Sequence, residues 1–569
     1  MKSLFKYFKG LKKECIMGPL FKLLEASFEL LVPLVVARII DRGIVNHDKG
    51  YVVNMCLVMI LLAIIGLACS LTAQYFSAKA AVKFSGRLRL ALFKHIMSLS
   101  YSDLDTAGSS TIITRMTADV NQLQNGVNMT LRLFLRSPFI VFGAMIMAFT
   151  IDARAALVFV VVIPLLALVI YGIMFITIPL NKRIQRRLER VLGDTRDNIH
   201  GVRVLRAFGQ EDHERQTFKE DNGLLTKSQI VAGRIAGLTN PVTFVIINLG
   251  IIVLIYTGAV RVDSGVITNG ELVALVNYMS QILVELIKLA NFIVLDIKAL
   301  ASAARIEALF AAQSTRIDGD YELGADEHIT NIEFDHVALK YAGASSEAVE
   351  DINFSLESGH SLGIVGATGS GKTTIVNMIP RFYEASRGHI RINGRDISEY
   401  SLSSLRRHIG VVPQKALLFE GTIRDNLRWG NEDASDEDIW AALAMARADE
   451  FVRDKEGGLD FKLSQAGKNL SGGQRQRLTI ARALVARPDV IIFDDSASAL
   501  DNLTEKALRG NIKTLEDTMV ITVSQRVSSV MEHDQIMVLD DGQIAGQATH
   551  ERLINECDIY REIYNAQFS

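Results

Sequence analysis

Leu362-Gly363-Ile364-Val365 is an apolar run that leads into Gly366-Ala367-Thr368-Gly369-Ser370-Gly371-Lys372-Thr373-Thr374, and the residues from Ile375 to Ile379 continue with helical character. Strand, glycine-rich loop and helix in that order form a phosphate cradle. The loop Gly366, Thr368, Gly369, Ser370 and Gly371 lets successive backbone N–H groups converge on phosphate oxygens, and the start of the helix, with Thr374, adds positive dipole. Lys372 pairs with the outer phosphates, and Thr373 ligates Mg²⁺. The expected ligands are therefore ATP and Mg²⁺. Further on, Val490-Ile491-Ile492-Phe493-Asp494 reads as a buried strand ending in a carboxylate, which places Asp494 as a second holder of Mg²⁺.

Between these two segments lies Leu470-Ser471-Gly472-Gly473-Gln474-Arg475-Gln476-Arg477. On these motifs the chain resembles the ABC transporter ATPases, whose signature is LSGGQ. The resemblance implies that Ser471, Gly472, Gly473 and Gln474 bind the nucleotide held on a partner's phosphate loop, so that two domains sandwich two ATP molecules. It further implies that Tyr341 stacks on adenine and that Gln414, in Val411-Val412-Pro413-Gln414, reaches Mg²⁺ and the attacking water. Ser498-Ala499-Leu500-Asp501 is similar to the family's D-loop, with Asp501 at the dimer interface.

Two positions depart from the family pattern. Where the family places Glu as general base the chain has Asp495, a carboxylate withdrawn by one methylene, about 1.5 Å. Where the family has the switch histidine the chain has Gln525, an amide that can hydrogen-bond phosphate but cannot carry a proton. Both changes fall on one composite site, which is expected to hold ATP and cleave it slowly, whereas the signature, which would serve the partner's site, is intact. The expected assembly is a heterodimer with a second half-transporter carrying Glu and His, similar to asymmetric bacterial multidrug exporters. The alternatives are a homodimer exporting peptide or lipid, and a nucleotide-gated regulatory or channel-like subunit.

The α/β domain that carries these motifs is expected over 329–569, after a polar linker at 311–328. The 17–310 portion is of another kind. The chain of 569 residues is 49% apolar with a positive mean hydropathy, too apolar to be wholly cytosolic. Six runs are long enough to cross about 30 Å of hydrocarbon, at 19–40, 53–78, 131–150, 155–178, 239–260 and 271–295. Ile151-Asp152-Ala153-Arg154 leaves room only for a tight hairpin between the third and fourth. The fold expected is thus an all-α six-helix transmembrane domain, its helices extended into the cytoplasm, followed by an α/β ATPase domain.

Lys83, Arg87, Arg89 and Lys94, then Lys182, Arg183, Arg186, Arg187 and Arg190, follow the second and fourth runs. By the positive-inside rule these segments, both termini and the ATPase domain face the cytoplasm across the inner membrane. Turns near 108–111 and 198–202 are expected to meet a cytoplasmic partner domain. Residues 1–16, with lysines among Leu4, Phe5, Tyr7 and Phe8, read as an amphipathic interfacial helix in contact with membrane lipid. Pro138, Pro164 and Pro241 are expected inside spans.

Charged side chains inside spans mark the transport path because each is costly at mid-bilayer. Glu25 with Glu29, Arg132 with Arg136, and Glu285 with Lys288 share helix faces and are the candidates for contact with an amphipathic small-molecule cargo. The same groups would also serve as packing pairs between helices. A net charge of −2 without dense basic blocks argues against nucleic acid. Cys15, Cys56, Cys69 and Cys557 have no metal-ligand or disulfide spacing.

Overall fold

A polypeptide in hydrocarbon must satisfy its backbone internally, and long apolar runs do so as helices. The computed structural model describes residues 2–312, 318–324, 326–497 and 499–568. They fall into two compact units, Met1–Met97 with Ser110–Ala312, and Ser98–Ser109 with Gln313–Ser569.

The first unit is helical throughout its described residues. The helices in chain order are α1 (Lys12–Arg38), α2 (Lys49–Ser98), α3 (Tyr101–Ala107), α4 (Ser109–Thr114), α5 (Val120–Leu133), α6 (Arg136–Ile151), α7 (Ala153–His200), α8 (Val202–Ala207), α9 (Glu211–Gly237), α10 (Thr239–Asp263) and α11 (Asn269–Ala311). Of these α3 belongs to the second unit. Four helical runs, Lys49–Ser98, Ser109–Ile151, Ala153–His200 and Glu211–Asp263, are long and apolar enough to cross a membrane. The expected first and sixth spans lie in α1, interrupted by Lys22, Glu25 and Glu29, and in α11, interrupted by Glu285 and Lys288. At about 1.5 Å per residue α2 runs about 75 Å, more than twice the hydrocarbon thickness.

Small residues bring these helices close. Ala26, Ala144, Ala148, Ala155, Ala156 and Ala274 are fully buried among Leu30, Phe159, Leu166 and Tyr278. A Cβ on Gly126 of α5 would lie 2.3 Å from the Ala299 Cβ of α11, so that approach requires glycine. Asp152 alone separates α6 from α7. Its extended backbone (φ −154°, ψ 123°) reverses the chain, and its carboxylate accepts the Ala155 N–H at 2.8 Å and pairs with Arg261 of α10. A π-helical turn at Arg115–Asp119 precedes α5, and Asp119 accepts from Arg115, Ser302 and Arg305, tying that turn to α11.

Two expectations are corrected here and a third is extended. Residues 1–16 are not one helix: Lys2–Phe8 is a short 3-10 segment, Gly10 turns at φ +83°, and α1 starts at Lys12. Leu4 of that segment and Leu11 beyond it are buried and Phe8 stacks on Phe84 of α2 at 4.3 Å, while Phe5 stays exposed. Pro138 and Pro241 sit in the first turns of α6 and α10, where no intrahelical donor is needed, and only Pro164 is interior, joined by Pro19, Pro33 and Pro179. The turn expected near 108–111 is present at Gly108 (φ +74°), between α3 and α4, and a further break precedes it at Leu99–Ser100, where Ser100 and Asp103 form a capping box that starts α3.

The second unit holds two main sheets. Strands β1 (Asn331–Leu339), β2 (Val349–Glu357), β4 (Arg387–Ile392) and β5 (Arg395–Asp396) form an antiparallel sheet in the order β2-β1-β4-β5. Strands β3 (Ser361–Gly366), β6 (Ile409–Val412), β9 (Val490–Asp494), β10 (Met519–Ser524), β11 (Gln535–Asp540) and β12 (Gln543–Ala548) form the other, ordered β12-β11-β3-β10-β9-β6. Its pairs are parallel except β11 with β12. A short pair, β7 (Gly421–Thr422) and β8 (Lys462–Leu463), completes the set.

Parallel strands covered on both faces are apolar throughout, which explains the unbroken run at 490–494. Alternate residues of β9 serve opposite cores. Val490 and Ile492 join Ile364, Ile375 and Ile521, while Ile491 and Phe493 join Leu478, Ile480 and Leu508. In this unit α3 lies with the Tyr101 ring 4.7 Å from Phe382, and the Tyr383 hydroxyl donates to the Asp105 carboxylate at 2.5 Å. The linker residues 313–317 and 325 lie outside the described residues.

Candidate functional site

β3 ends at Gly366, and after the loop α12 (Lys372–Met378) begins. Gly371 turns the chain into the helix at φ +94°, and a Cβ there would lie 2.4 Å from Val349 Cγ1. Lys372 is buried, and its ammonium donates to the Gly366 carbonyl at 2.9 Å and the Ala367 carbonyl at 2.6 Å. Thr373 donates its hydroxyl to Asp494 Oδ1 at 2.9 Å, joining the loop to the end of β9.

Sheet order explains why distant segments meet. β10 lies between β3 and β9, with Val523 in register with both Ile364 and Asp494. The chain leaving β10 at Ser524 therefore delivers Gln525 between the phosphate loop and the carboxylates. β6 flanks β9 on its other side, Val412 beside Phe493, and carries Gln414 to the same end. Gln414 Nε2 donates to Asp495 Oδ2 at 3.2 Å. Asp495 itself is in the left-handed region at φ +45°, its N–H bonded to the Val523 carbonyl at 2.9 Å. Residues of this type at positive φ concentrate at functional sites.

The result is one cleft of about 560 Å³ lined by Tyr341, Thr368, Gly369, Gly371, Lys372, Thr373, Thr374, Gln414, Asp494, Asp495 and Gln525. Gly366 and Ser370 support it from behind, Ser370 being buried. Tyr341 is fixed by a hydrogen bond between its hydroxyl and Thr374 Oγ1 at 3.0 Å and by an edge contact with Tyr383 at 5.0 Å.

Electrostatics suit a bound metal–phosphate. Burial pushes the Asp494 carboxyl above its ordinary range, and Asp495 adds to this against the opposing pull of Thr373 and Lys372. Burial likewise pulls the Lys372 ammonium down, with Asp495 and Asp494 opposing. A desolvated carboxylate and a desolvated amine gain most from a divalent cation and a phosphate. Thr373 and Asp494 supply the hard oxygen donors that Mg²⁺ prefers.

Other expected residues stand apart from the cleft. Ser471 caps the helix Gly472–Val485 in a reciprocal box with Gln474, the Gln474 N–H reaching Ser471 Oγ at 3.3 Å. Neither they nor Gly472 and Gly473 line the cleft. Asp501 caps the helix Asn502–Ile512 through Thr504. Ser498 lies outside the described residues.

In the first unit the charged candidates form a chain of contacts. Arg136 donates to Glu285 and to Glu29, each at 2.7 Å, and Glu285 accepts also from Ser137 at 3.0 Å and Lys288 at 2.8 Å. The pair expected to bridge helices, Glu285 with Lys288, thus lies within α11, and the crossing is made by Arg136. Glu25 separates from Glu29 and binds Lys22 at 2.5 Å. Arg132 Nε is buried with no hydrogen-bond partner among the described residues. A cavity of about 460 Å³ adjoins the network, lined by Glu29, Asn277, Gln281, Glu285 and Lys288 among others. Lys22, Ser137, Asp105 and Tyr383 escaped the sequence reading. Only Lys22 left a signal, three residues before Glu25.

A family model described as the ABC transporter transmembrane region matches residues 15–286, and one described as ABC transporter matches residues 349–498. The chain is 35% identical over 547 residues to the uncharacterized ABC transporter ATP-binding protein YfiB of Bacillus subtilis, across 96% of this chain and 95% of that one. It is 29% identical over 577 residues to the putative multidrug export ATP-binding/permease protein YgaD of the same organism, across 100% and 99% of the two chains. The solved structure of a bacterial Atm1-family ABC exporter with ATP bound matches with a TM-score of 0.80 at 22% identity, covering 99% of each chain, which shows a shared fold.

Proposed function

This chain belongs to the ABC transporter family, with ATP hydrolysis coupled to transport, and from that premise we propose that it is one half of a heterodimeric exporter whose own phosphate-loop site is degenerate. The observation that carries the reading is Asp495. Its carboxylate is one methylene short of the family's base, is held by Gln414 at 3.2 Å, and faces an amide, Gln525, in the same cleft. An attacking water there lacks a base of the right reach, and misplacement by about 1 Å costs about 100-fold.

Tyr341 would hold the adenine, the loop from Gly366 to Thr374 the phosphates, and Thr373, Gln414 and Asp494 the Mg²⁺. Bound Mg²⁺ would offset the charge of the outer phosphates. Ser471, Gly472, Gly473 and Gln474 would complete the competent site on the partner. Closure of the paired domains would be passed through Tyr101 and Asp105 of the 98–109 segment to six spanning helices, with both termini in the cytoplasm. The cavity beside Glu29 and Glu285 would take amphipathic, drug-like or lipid-like cargo, in keeping with the description of YgaD as a multidrug export protein.

Phosphate release in lipid nanodiscs tests the assignment. The chain alone should be nearly silent and should gain turnover only with a second half-transporter that bears Glu and His. Brisk hydrolysis and cargo movement by the chain alone would establish the homodimer instead.

A further inference from the structure

At the strand ends remote from the nucleotide cleft, three side chains from separated segments converge. Asp489 immediately precedes β9 and His408 immediately precedes β6, while His328 leads into β1. With about 3.3 Å per residue, the five residues of β9 put Asp489 roughly 16 Å from Asp494. His328 Nδ1 lies 2.7 Å from Asp489 Oδ1, and His408 Nδ1 lies 2.7 Å from Asp489 Oδ2. One donor atom from each residue falls within 4.8 Å of the others.

We propose that His328, His408 and Asp489 bind one first-row divalent cation, with Zn²⁺ the best fit. Two imidazoles and a carboxylate suit zinc, nickel, cobalt or copper, whereas magnesium and calcium prefer oxygen alone. Tetrahedral Zn²⁺ with bonds of about 2.1 Å needs its ligand atoms about 3.4 Å apart. The present separations must therefore open by about 0.7 Å. His328 can supply that movement, since its side chain is 68% exposed, whereas His408 and Asp489 are each 12% exposed and form the fixed half of the site. The Ile329 N–H donates to Asp489 Oδ2 at 2.9 Å, the kind of outer contact that orients a ligating carboxylate. The open side next to His328 leaves a fourth position for water. A cation held there would fasten the start of β1 to the starts of β6 and β9, the two strands whose far ends carry Gln414, Asp494 and Asp495.

The test uses the full chain, free of any histidine tag, in nanodiscs, stripped with chelator and without nucleotide. Zn²⁺ is titrated against a competing chromophoric chelator, and Co²⁺ is added separately to read the visible absorption of a tetrahedral site. Wild type should take up one tight equivalent, show the cobalt bands and unfold at a higher temperature with Zn²⁺. His328→Ala, at an exposed position, should weaken that equivalent at least tenfold, and His408→Ala should abolish it. Retained binding of a fluorescent ATP analogue shows that each variant is folded. Equal zinc stoichiometry and affinity in wild type and His328→Ala, or absence of tetrahedral cobalt bands in wild type, would overturn the site.

Discussion

Lengthening the carboxylate at position 495 should restore hydrolysis to this chain. Asp495→Glu adds one methylene, about 1.5 Å of reach toward the water position. If 1 Å of misplacement costs about 100-fold, the single change should raise turnover by roughly 10- to 100-fold, the upper value being about 2.7 kcal/mol of barrier. The lower bound allows for two local obstacles. The left-handed backbone at φ +45° tolerates Asp better than Glu, and the 3.2 Å contact with Gln414 must be released.

Gln525→His restores a group able to carry charge, and proton transfer by a positioned residue is worth about 10²- to 10⁴-fold. Because Gln525 and Asp495 share one cleft, the double variant should exceed the product of the single effects. Phosphate release by purified chain in nanodiscs at saturating Mg-ATP reads this directly. Wild type turning over at several per second, with less than a twofold change in Asp495→Glu, would refute the reasoning.

Lys372→Ala should abolish nucleotide retention on this chain yet leave most of the ATPase of a two-subunit assembly. Ser471→Ala should do the reverse, and equal losses would contradict an asymmetric pair. Tyr383→Phe and Asp105→Ala each remove the bond between hydroxyl and carboxylate. Cargo-stimulated ATPase should fall about tenfold in either, with ATP affinity changed less than twofold and no further loss in the double variant, consistent with a bond to a charged group worth about 1.4 kcal/mol. His533 is half-buried, with Nδ1 near the Val530 carbonyl and Nε2 near Thr522, and burial pulls it from 6.5 down to about 4. The unfolded chain binds more protons between those values, so stability rises with pH there and is lost on acidification from 6.5 toward 4. Between pH 7 and 5 the loss is about 2 kcal/mol. Thermal melts should show it in wild type, and much less of it in His533→Gln.

The proposed nucleotide cleft was readable because its parts announce themselves locally. Glycines spaced for phosphate, Lys372, and a buried run ending at Asp494 each carry their own chemistry, and β10 then brings Gln525 between them. Contacts between remote segments left no such trace. Nothing near Asp105 marks it as the acceptor for Tyr383, and nothing ties His328 to Asp489. Spacing placed Glu25 and Glu29 on one face of α1, yet it could not say that one meets Lys22 and the other Arg136. Residues 1–16 misled because the lysine and aromatic pattern suits a surface helix. Gly10, turning at φ +83°, redirects that pattern against α2.

Asp152 as sole connector has a further consequence. Because the reversal has no slack, α6 and α7 are joined as a tight helical hairpin. The salt bridge from Asp152 to Arg261 ties that hairpin to α10. An inserted residue here would uncouple three helices at once, so an epitope tag at this point should silence the pump.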